Sequence, residues 1–221
     1  MPDKDYTHIV IVLDSSSSMS SIKSATEEAL NSFIKTQREQ PGRATVTYVT
    51  FSTTSKVVHE LVNLKHVGTM RLEPNGMTAL YDAVCDTIDS TGRVLKGLPE
   101  DLRPGLVLFA IVTDGQENAS TRSTAADVAR RIEHQTSAYN WQFTYLGANQ
   151  DAILEAGKMG IRAQAASSYN AANVEQAVRT CSSILVGCRA DTSRGLQASY
   201  SYSDQQRVDM MQDPATLPSQ P

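Results

Sequence analysis

The chain has 221 residues, 40% of them hydrophobic, a formal net charge of −4 and three cysteines. That length suits one sizeable domain with a well-buried core. A mildly acidic chain with no long basic run carries no nucleic-acid footprint, and no stretch approaches the ~20 apolar residues of a membrane span.

The first residues, MPDKDYTH, lack the apolar segment of a secretory signal. Ile9 to Leu13 then form a short apolar, β-branched run that ends at Asp14 and four serines. Such a run, bounded by turn residues, predicts a strand buried on both faces with Asp14 at its carboxyl end. Asp14, Ser16 and Ser18 are two apart, so a loop curling over the strand tip can aim three oxygens at one point. One carboxylate and two hydroxyls suit a hard dication such as magnesium rather than zinc or copper. The plainer alternative is a serine-rich turn capping a helix that starts near Met19.

Ile22 to Gln40 has helical spacing, ended by Pro41-Gly42. Arg43 to Ser52 alternates and is β-branched, predicting a second strand. Lys56 to Leu61 follows after so short a turn that it must pair back as an antiparallel edge strand. Pro74-Asn75-Gly76 marks a turn, and Thr78 to Leu95 is helical. Leu106 to Thr113, LVLFAIVT, is the most apolar run and predicts a central strand ending in Asp114-Gly115. Thr124 to Ser137 predicts a helix, Trp141 to Leu146 a strand, Ala152 to Met159 a short helix, Ile161 to Ala166 a sixth strand and Val174 to Cys188 a last helix. In the segment Gly147 to Asp151, Asn149 or Asp151 suits a helix cap, the favoured reading; the functional alternative makes Asn149 a rim contact at the strand end.

Cys85, Cys181 and Cys188 make an odd set with no C-x-x-C or Cys/His cluster. They are expected to be free core thiols in a reducing, cytoplasmic setting. Cys181 and Cys188 lie about 10 Å apart along a helix, too far for a disulfide. Residues 189–221 lack apolar periodicity, hold two Ser-Tyr pairs and end DPATLPSQP, so a disordered or loosely docked tail is expected after a domain spanning 1–188.

Alternating strands and helices predict an α/β fold. The expected architecture is a doubly wound, mostly parallel sheet of about six strands, with one antiparallel edge strand and helices on both faces. Ligands in such sheets bind beyond the carboxyl ends of the strands, at the switch point. Asp14 and Asp114 both fall at such ends, and Thr78 opens a helix after a glycine-containing turn that can reach the same edge.

These residues resemble a von Willebrand factor type A domain with a complete metal-ion-dependent adhesion site, of the stand-alone intracellular kind found in bacteria and phages. The family's D-x-S-x-S is present as Asp14-Ser15-Ser16-Ser17-Ser18, its threonine after a glycine turn as Gly76-Met77-Thr78, and its T-D-G as Thr113-Asp114-Gly115. The match runs from about Tyr6 to Gly187, and Ser17 departs from the glycine that many members carry there. The resemblance implies a metal site of Asp14, Ser16, Ser18, Thr78 and Asp114 holding Mg2+, or Mn2+ or Ca2+. In it the hydroxyls bind directly and the aspartates act largely through water. It also implies a protein partner presenting Glu or Asp to the metal, and the rim expected around that contact is Ser15, Ser17, Met77, Gly115 and Asn149. No catalytic residue, nucleic acid or membrane is implied.

Two other functions share the site. One is a structural or assembly subunit, of the kind that works with ring-forming ATPases, whose metal only fixes loops. The other is a magnesium-dependent phosphohydrolase with Asp14 as nucleophile, disfavoured by the lack of a P-loop or of a phosphate-binding cation in the three loops. His8, His59, His66 and His134 are scattered, and no Ser/His/Asp triad is evident.

Overall fold

The computed structural model describes residues 1–148 and 151–214. Its elements in chain order are β1 (Asp3–Asp14), α1 (Lys23–Arg38), β2 (Arg43–Phe51), β3 (Ser55–Asn63), α2 (Leu80–Lys96), β4 (Pro104–Thr113), α3 (Ala125–Tyr139), β5 (Gln142–Ala148), α4 (Ala152–Lys158), β6 (Ala166–Tyr169), α5 (Val174–Ser193) and α6 (Asp204–Met211). Short 3-10 turns intervene, including Ser17–Ile22 directly after β1.

One six-stranded sheet has the order β3-β2-β1-β4-β5-β6, parallel throughout except for the antiparallel β3. This is the expected fold, with the expected antiparallel edge. β1 lies between β2 and β4, pairing Ile9 with Val46 on one side and with Leu108 on the other. The chain leaves β1 towards β2 and later returns to add β4 on the opposite side. The carboxyl ends of β1 and β4 therefore frame the switch point where α/β sheets bind ligands. Ile9 to Leu13 and Leu106 to Val112 are buried on both faces, which is why these strands read as continuous apolar runs.

Two expectations need correction. The sequence predicts the sixth strand at Ile161 to Ala166, but β6 runs from Ala166 to Tyr169. Gly160 takes φ +75° against Ala129, and Ile161 donates its N–H back to the Ala156 carbonyl. The apolar character of Ile161 thus reflects a side chain buried from a turn rather than a strand. The tail expected to be loose after Cys188 instead continues α5 to Ser193 and then packs on the domain. Ala198, Tyr200, Tyr202 and Met210 are buried. The hydroxyls of Tyr200 and Tyr202 lie 3.1 Å apart, and Tyr202 meets Thr144 Oγ1 at 2.8 Å. Ser203 and Gln206 form a capping box that starts α6. Arg207 then donates to the carbonyls of Ala163 and Ala166, so this segment covers the β6 edge.

Candidate metal centre

The geometry starts with β1, whose last residue, Asp14, is fully buried. Both of its carboxylate oxygens are engaged. Oδ1 accepts the Ser16 N–H at 2.7 Å, and Oδ2 accepts the Thr113 hydroxyl at 2.6 Å. The second bond crosses from β1 to β4, so the two central strands are tied at their tips. Burial pushes the Asp14 carboxyl above its usual range, against the opposing pull of those donors. The negative charge of Asp114 pushes it up further. Asp114 is likewise raised by burial, with the Ser18 hydroxyl opposing.

The serines do not behave as a capped turn. Ser16 sits at the N-cap position of the 3-10 turn, yet its side chain makes no cap bond. Its hydroxyl instead meets Ser18 Oγ at 3.0 Å, and Ser18 Oγ donates to Asp114 Oδ1 at 2.7 Å. A chain of oxygens thus runs from the first loop to the loop after β4.

Thr78 is buried at the start of α2 and held from two sides. Its N–H donates to Asn118 Oδ1 at 2.9 Å, and its carbonyl accepts the Asn118 N–H at 3.0 Å. Asn118 belongs to the loop that follows Asp114, so this reciprocal pair fixes the second and third loops to each other. Glu117 reinforces the join by accepting the Tyr81 N–H in the first turn of α2. The first and second loops are joined by Asn75 N–H to the Ser15 carbonyl at 2.7 Å and by Ser17 N–H to the Gly76 carbonyl at 3.1 Å. Gly76 takes φ +70°, and a Cβ there would lie 2.7 Å from Thr53 Oγ1, so glycine is required for this approach.

Gly115 gives the convergence a measure. A Cβ at this position would lie 3.4 Å from Thr78 Oγ1, 3.8 Å from Ser18 Oγ and 3.9 Å from Asp14 Oδ2. Three loops therefore bring oxygens to one small space that a side chain at position 115 would enter. Three hydroxyls and two carboxylates form a hard donor set suited to a small dication. Among the described residues, no group of three or more His, Cys, Asp or Glu gathers as a metal cluster. The three cysteines are buried and unpaired with one another.

The rim differs from expectation in one place. Ser15 is buried, and its hydroxyl donates to the Phe51 carbonyl at 2.9 Å, so its side chain braces β1 against β2 and does not face outward. Ser17 is exposed, with its hydroxyl on the Gly76 carbonyl, and Met77 is 53% exposed. Asn149 lies outside the described residues. Asp151 caps α4 through the Leu154 N–H, as its cap reading anticipated. Thr113, Glu117 and Asn118 escaped sequence reasoning as supporting residues, although Thr113 lies within the quoted T-D-G. Asn118 carries no local signal, because its partner is 40 residues away.

Tyr169 on β6 adds one more group. Its side chain is fully buried, its hydroxyl has no hydrogen-bond partner among the described residues, and its acidity is suppressed by burial and then by the charges of Asp114 and Asp14.

No protein-family model matches the chain, and no curated protein matches it in sequence. Solved structures do match. A von Willebrand factor type A protein from Catenulispora acidiphila aligns over 82% of this chain and 43% of its own, with TM-score 0.60 and 21% identity. Proximal thread matrix protein 1 from the mussel byssus, solved with zinc in its MIDAS motif, aligns over 84% of this chain and 48% of its own, with TM-score 0.58 and 15% identity. The ArnB paralog VWA2 from Sulfolobus acidocaldarius aligns over 82% of this chain and 44% of its own, with TM-score 0.51 and 15% identity. The chain spans less than half the length of each of these structures. The sheet order, the switch point and these neighbours together give the chain a von Willebrand factor type A-like α/β fold.

Proposed function

We propose that the domain is a divalent-metal-dependent protein-binding module that captures an acidic side chain of a partner. The observation that carries this reading is the convergence on Gly115 of oxygens from three loops far apart in sequence. Asp14, Ser16, Ser18, Thr78 and Asp114 would hold the metal, with magnesium the preferred ion on the hardness of the donors. Bound there, the metal supplies an electrophilic centre with an exchangeable position that suits a carboxylate oxygen. The chain's own part is to fix the hydroxyls, hold two carboxylates as neighbours and keep the rim at Ser17 and Met77 open to a partner.

Several observations support this reading. Both carboxylates have their acidity suppressed by burial, and the charge of Asp114 adds to the effect at Asp14, so a cation between them relieves a real electrostatic cost. A structural neighbour carries a metal at its own MIDAS motif. We read the domain as a binder and not an enzyme: the sequence carries no P-loop, and the groups that bond Asp14 are the Ser16 N–H and the Thr113 hydroxyl rather than a phosphate-binding Lys or Arg. Among the described residues, no helix is long and apolar enough to cross a membrane. The free buried thiols support a cytoplasmic location.

Titration calorimetry and thermal melting with magnesium, repeated with a chelator, test the reading. Magnesium at ten times its dissociation constant is expected to add about 1.4 kcal/mol of stability. Ser16→Ala is expected to weaken that gain. Thr78→Ala is expected to leave the metal-free fold intact and to reduce capture of an immobilised glutamate-bearing peptide. Absence of both magnesium heat and a melting shift in the wild type would dismiss the site.

A further inference from the structure

Asn75-Gly76 is the chain's only Asn-Gly pair, and every other asparagine precedes a residue that carries a Cβ. A glycine on the carboxyl side leaves the following amide nitrogen unobstructed, which favours its attack on the asparagine side chain. Here both residues are exposed. Gly76 is already in a positive-φ turn, and its N–H makes no hydrogen bond among the described residues. The Asn75 carboxamide is also oriented. Its Oδ1 accepts from the Ser52 hydroxyl at 3.1 Å, which polarises the side-chain carbonyl, and its Nδ2 donates to the Glu73 carbonyl at 2.8 Å.

From this arrangement we infer that Asn75 is a site of spontaneous covalent modification, by deamidation through a succinimide. The Gly76 nitrogen forms a bond to Asn75 Cγ. The Cγ–Nδ2 bond breaks, and Nδ2 leaves as ammonia, carrying the proton released by the Gly76 nitrogen. Water then opens the ring. Attack at the side-chain carbonyl leaves an ordinary aspartate at position 75, and attack at the main-chain carbonyl leaves an isoaspartyl linkage. No oxidant, reductant or enzyme is needed.

The position gives the reaction a consequence, and this part rests on the proposed metal-binding function. The peptide between residues 75 and 76 is clamped at both ends: Asn75 N–H to the Ser15 carbonyl, and the Gly76 carbonyl to the Ser17 N–H and hydroxyl. An isoaspartyl linkage routes the main chain through an extra methylene between those two clamps. The displacement passes to Met77 and Thr78, so one of the five candidate ligands leaves its place. The loop would then act as an irreversible timer on the site.

The test ages the full-length folded protein in warm, mildly alkaline buffer. The tryptic peptide from Leu72 to Arg93 is then followed by mass spectrometry, and isoaspartate is counted with an isoaspartyl methyltransferase assay. Amide loss is expected to concentrate in that peptide, to appear as two chromatographic forms of equal mass, and to vanish in Asn75→Gln. An Asn75 amide as persistent as those of Asn31 and Asn173 in the folded chain would overturn the inference. So would conversion seen only in a denatured control. Melting the aged fraction with magnesium reads the consequence. A fresh protein that responds and an aged one that does not is the expected pair, with aged Asn75→Gln still responding. An aged, isoaspartyl-rich fraction with an undiminished response would overturn the timer. A fresh protein that never responds would dismiss the metal reading while leaving the mass result standing.

Discussion

Two buried polar clusters sit on β1, one near its middle and one at its tip, and they are solved in opposite ways. At His8, Nδ1 lies 2.8 Å from Thr45 Oγ1 and Nε2 lies 3.2 Å from Thr47 Oγ1. Tyr6 also meets Thr45, at 2.8 Å, and Leu61 donates its N–H to Thr47. Each group is neutral, and one consistent pattern satisfies all of them: Nδ1–H donates to Thr45 and the Thr47 hydroxyl donates to Nε2. At the tip the groups are also bonded, with Asp14 buried and Asp114 half-buried, but two carboxylates face the same space. A neutral network can be completed by the chain alone. A network with two like charges is complete only when something positive joins it, and that contrast is what separates core from site here.

The largest test of the contrast is acid. Burial holds the His8 imidazole down to about 3, well below its ordinary 6.5. The unfolded chain therefore takes up the proton first as pH falls. The stability contributed by the neutral ring is fully present above about pH 6.5 and is lost as pH drops towards 3, at about 1.4 kcal/mol per pH unit. By pH 4 the loss from this residue reaches about 3 kcal/mol. Denaturant unfolding across this window should show the slope, and His8→Gln should flatten it. Equal slopes in the two proteins would mean that the mid-strand cluster accepts charge, and the comparison would fail on that side.

Asp14→Asn is the matching test at the tip. The carboxyls of Asp14 and Asp114 are raised, so without metal their ionisation opposes folding, and stability falls as pH rises through their folded values. The amide preserves the local bonds. Its oxygen can still accept the Ser16 N–H, and its nitrogen can donate to Thr113 Oγ1, whose hydroxyl has the Gly115 carbonyl as an acceptor at 3.0 Å. The metal-free variant should therefore melt above the wild type at neutral pH. It should also lose the gain that magnesium provides, about 2.7 kcal/mol at a hundred times the dissociation constant. A variant that keeps the magnesium shift would show that Asp14 is structural only.

The two clusters also differ in how far the sequence disclosed them. Asp14, Ser16, Ser18, Thr78 and Asp114 were legible because each falls next to a strand or helix end that hydrophobic patterning locates, and the topology then brings those ends together. What was not legible depends on contacts between distant residues. Ser15 was assigned to the rim from its neighbours, but it turns inward to the Phe51 carbonyl, a bond across to β2. The clamp between Thr78 and Asn118 crosses 40 positions. The docked tail from Ala198 to Met210 is hard to read because the segment is polar overall. Its signal was the spacing of two between Ala198, Tyr200 and Tyr202, which marks one face of an extended chain. β6 begins later than its composition suggests because Ile161, a buried apolar side chain after the exposed Gly160 turn, looks like the start of a strand.

Asn118→Ala sharpens the comparison further, because it disturbs the site without replacing a candidate ligand. The change removes the acceptor for the Thr78 N–H and leaves the backbone bond from Asn118 N–H to the Thr78 carbonyl. A cost of about 1 kcal/mol in metal-free stability is expected from the unpaired N–H. Magnesium affinity should fall roughly tenfold, or about 1.4 kcal/mol, as Thr78 loses its fixed position. Asn118→Asp restores an acceptor and should recover the stability. If calorimetry gives an unchanged affinity while the stability drops, the clamp serves the fold and not the site.

The smallest expected effect is the most informative about the unfinished network at the tip. Tyr169 is fully buried with an unpartnered hydroxyl among the described residues, and the charges that act on it most are those of Asp114 and Asp14. Stranding that hydroxyl away from water costs roughly 1 kcal/mol or more. Tyr169→Phe removes the cost and changes little else in shape, so the metal-free protein should gain about 1 kcal/mol and melt a few degrees higher. If the hydroxyl finds its partner in the filled site, the variant should give that gain back when magnesium is added, and its magnesium shift should be smaller than the wild type's by a similar amount. A rise in melting that persists unchanged with metal would make the hydroxyl an ordinary packing defect. A fall in the metal-free melting temperature would mean that the hydroxyl is already bonded, and the tip cluster would then be as complete as the one around His8.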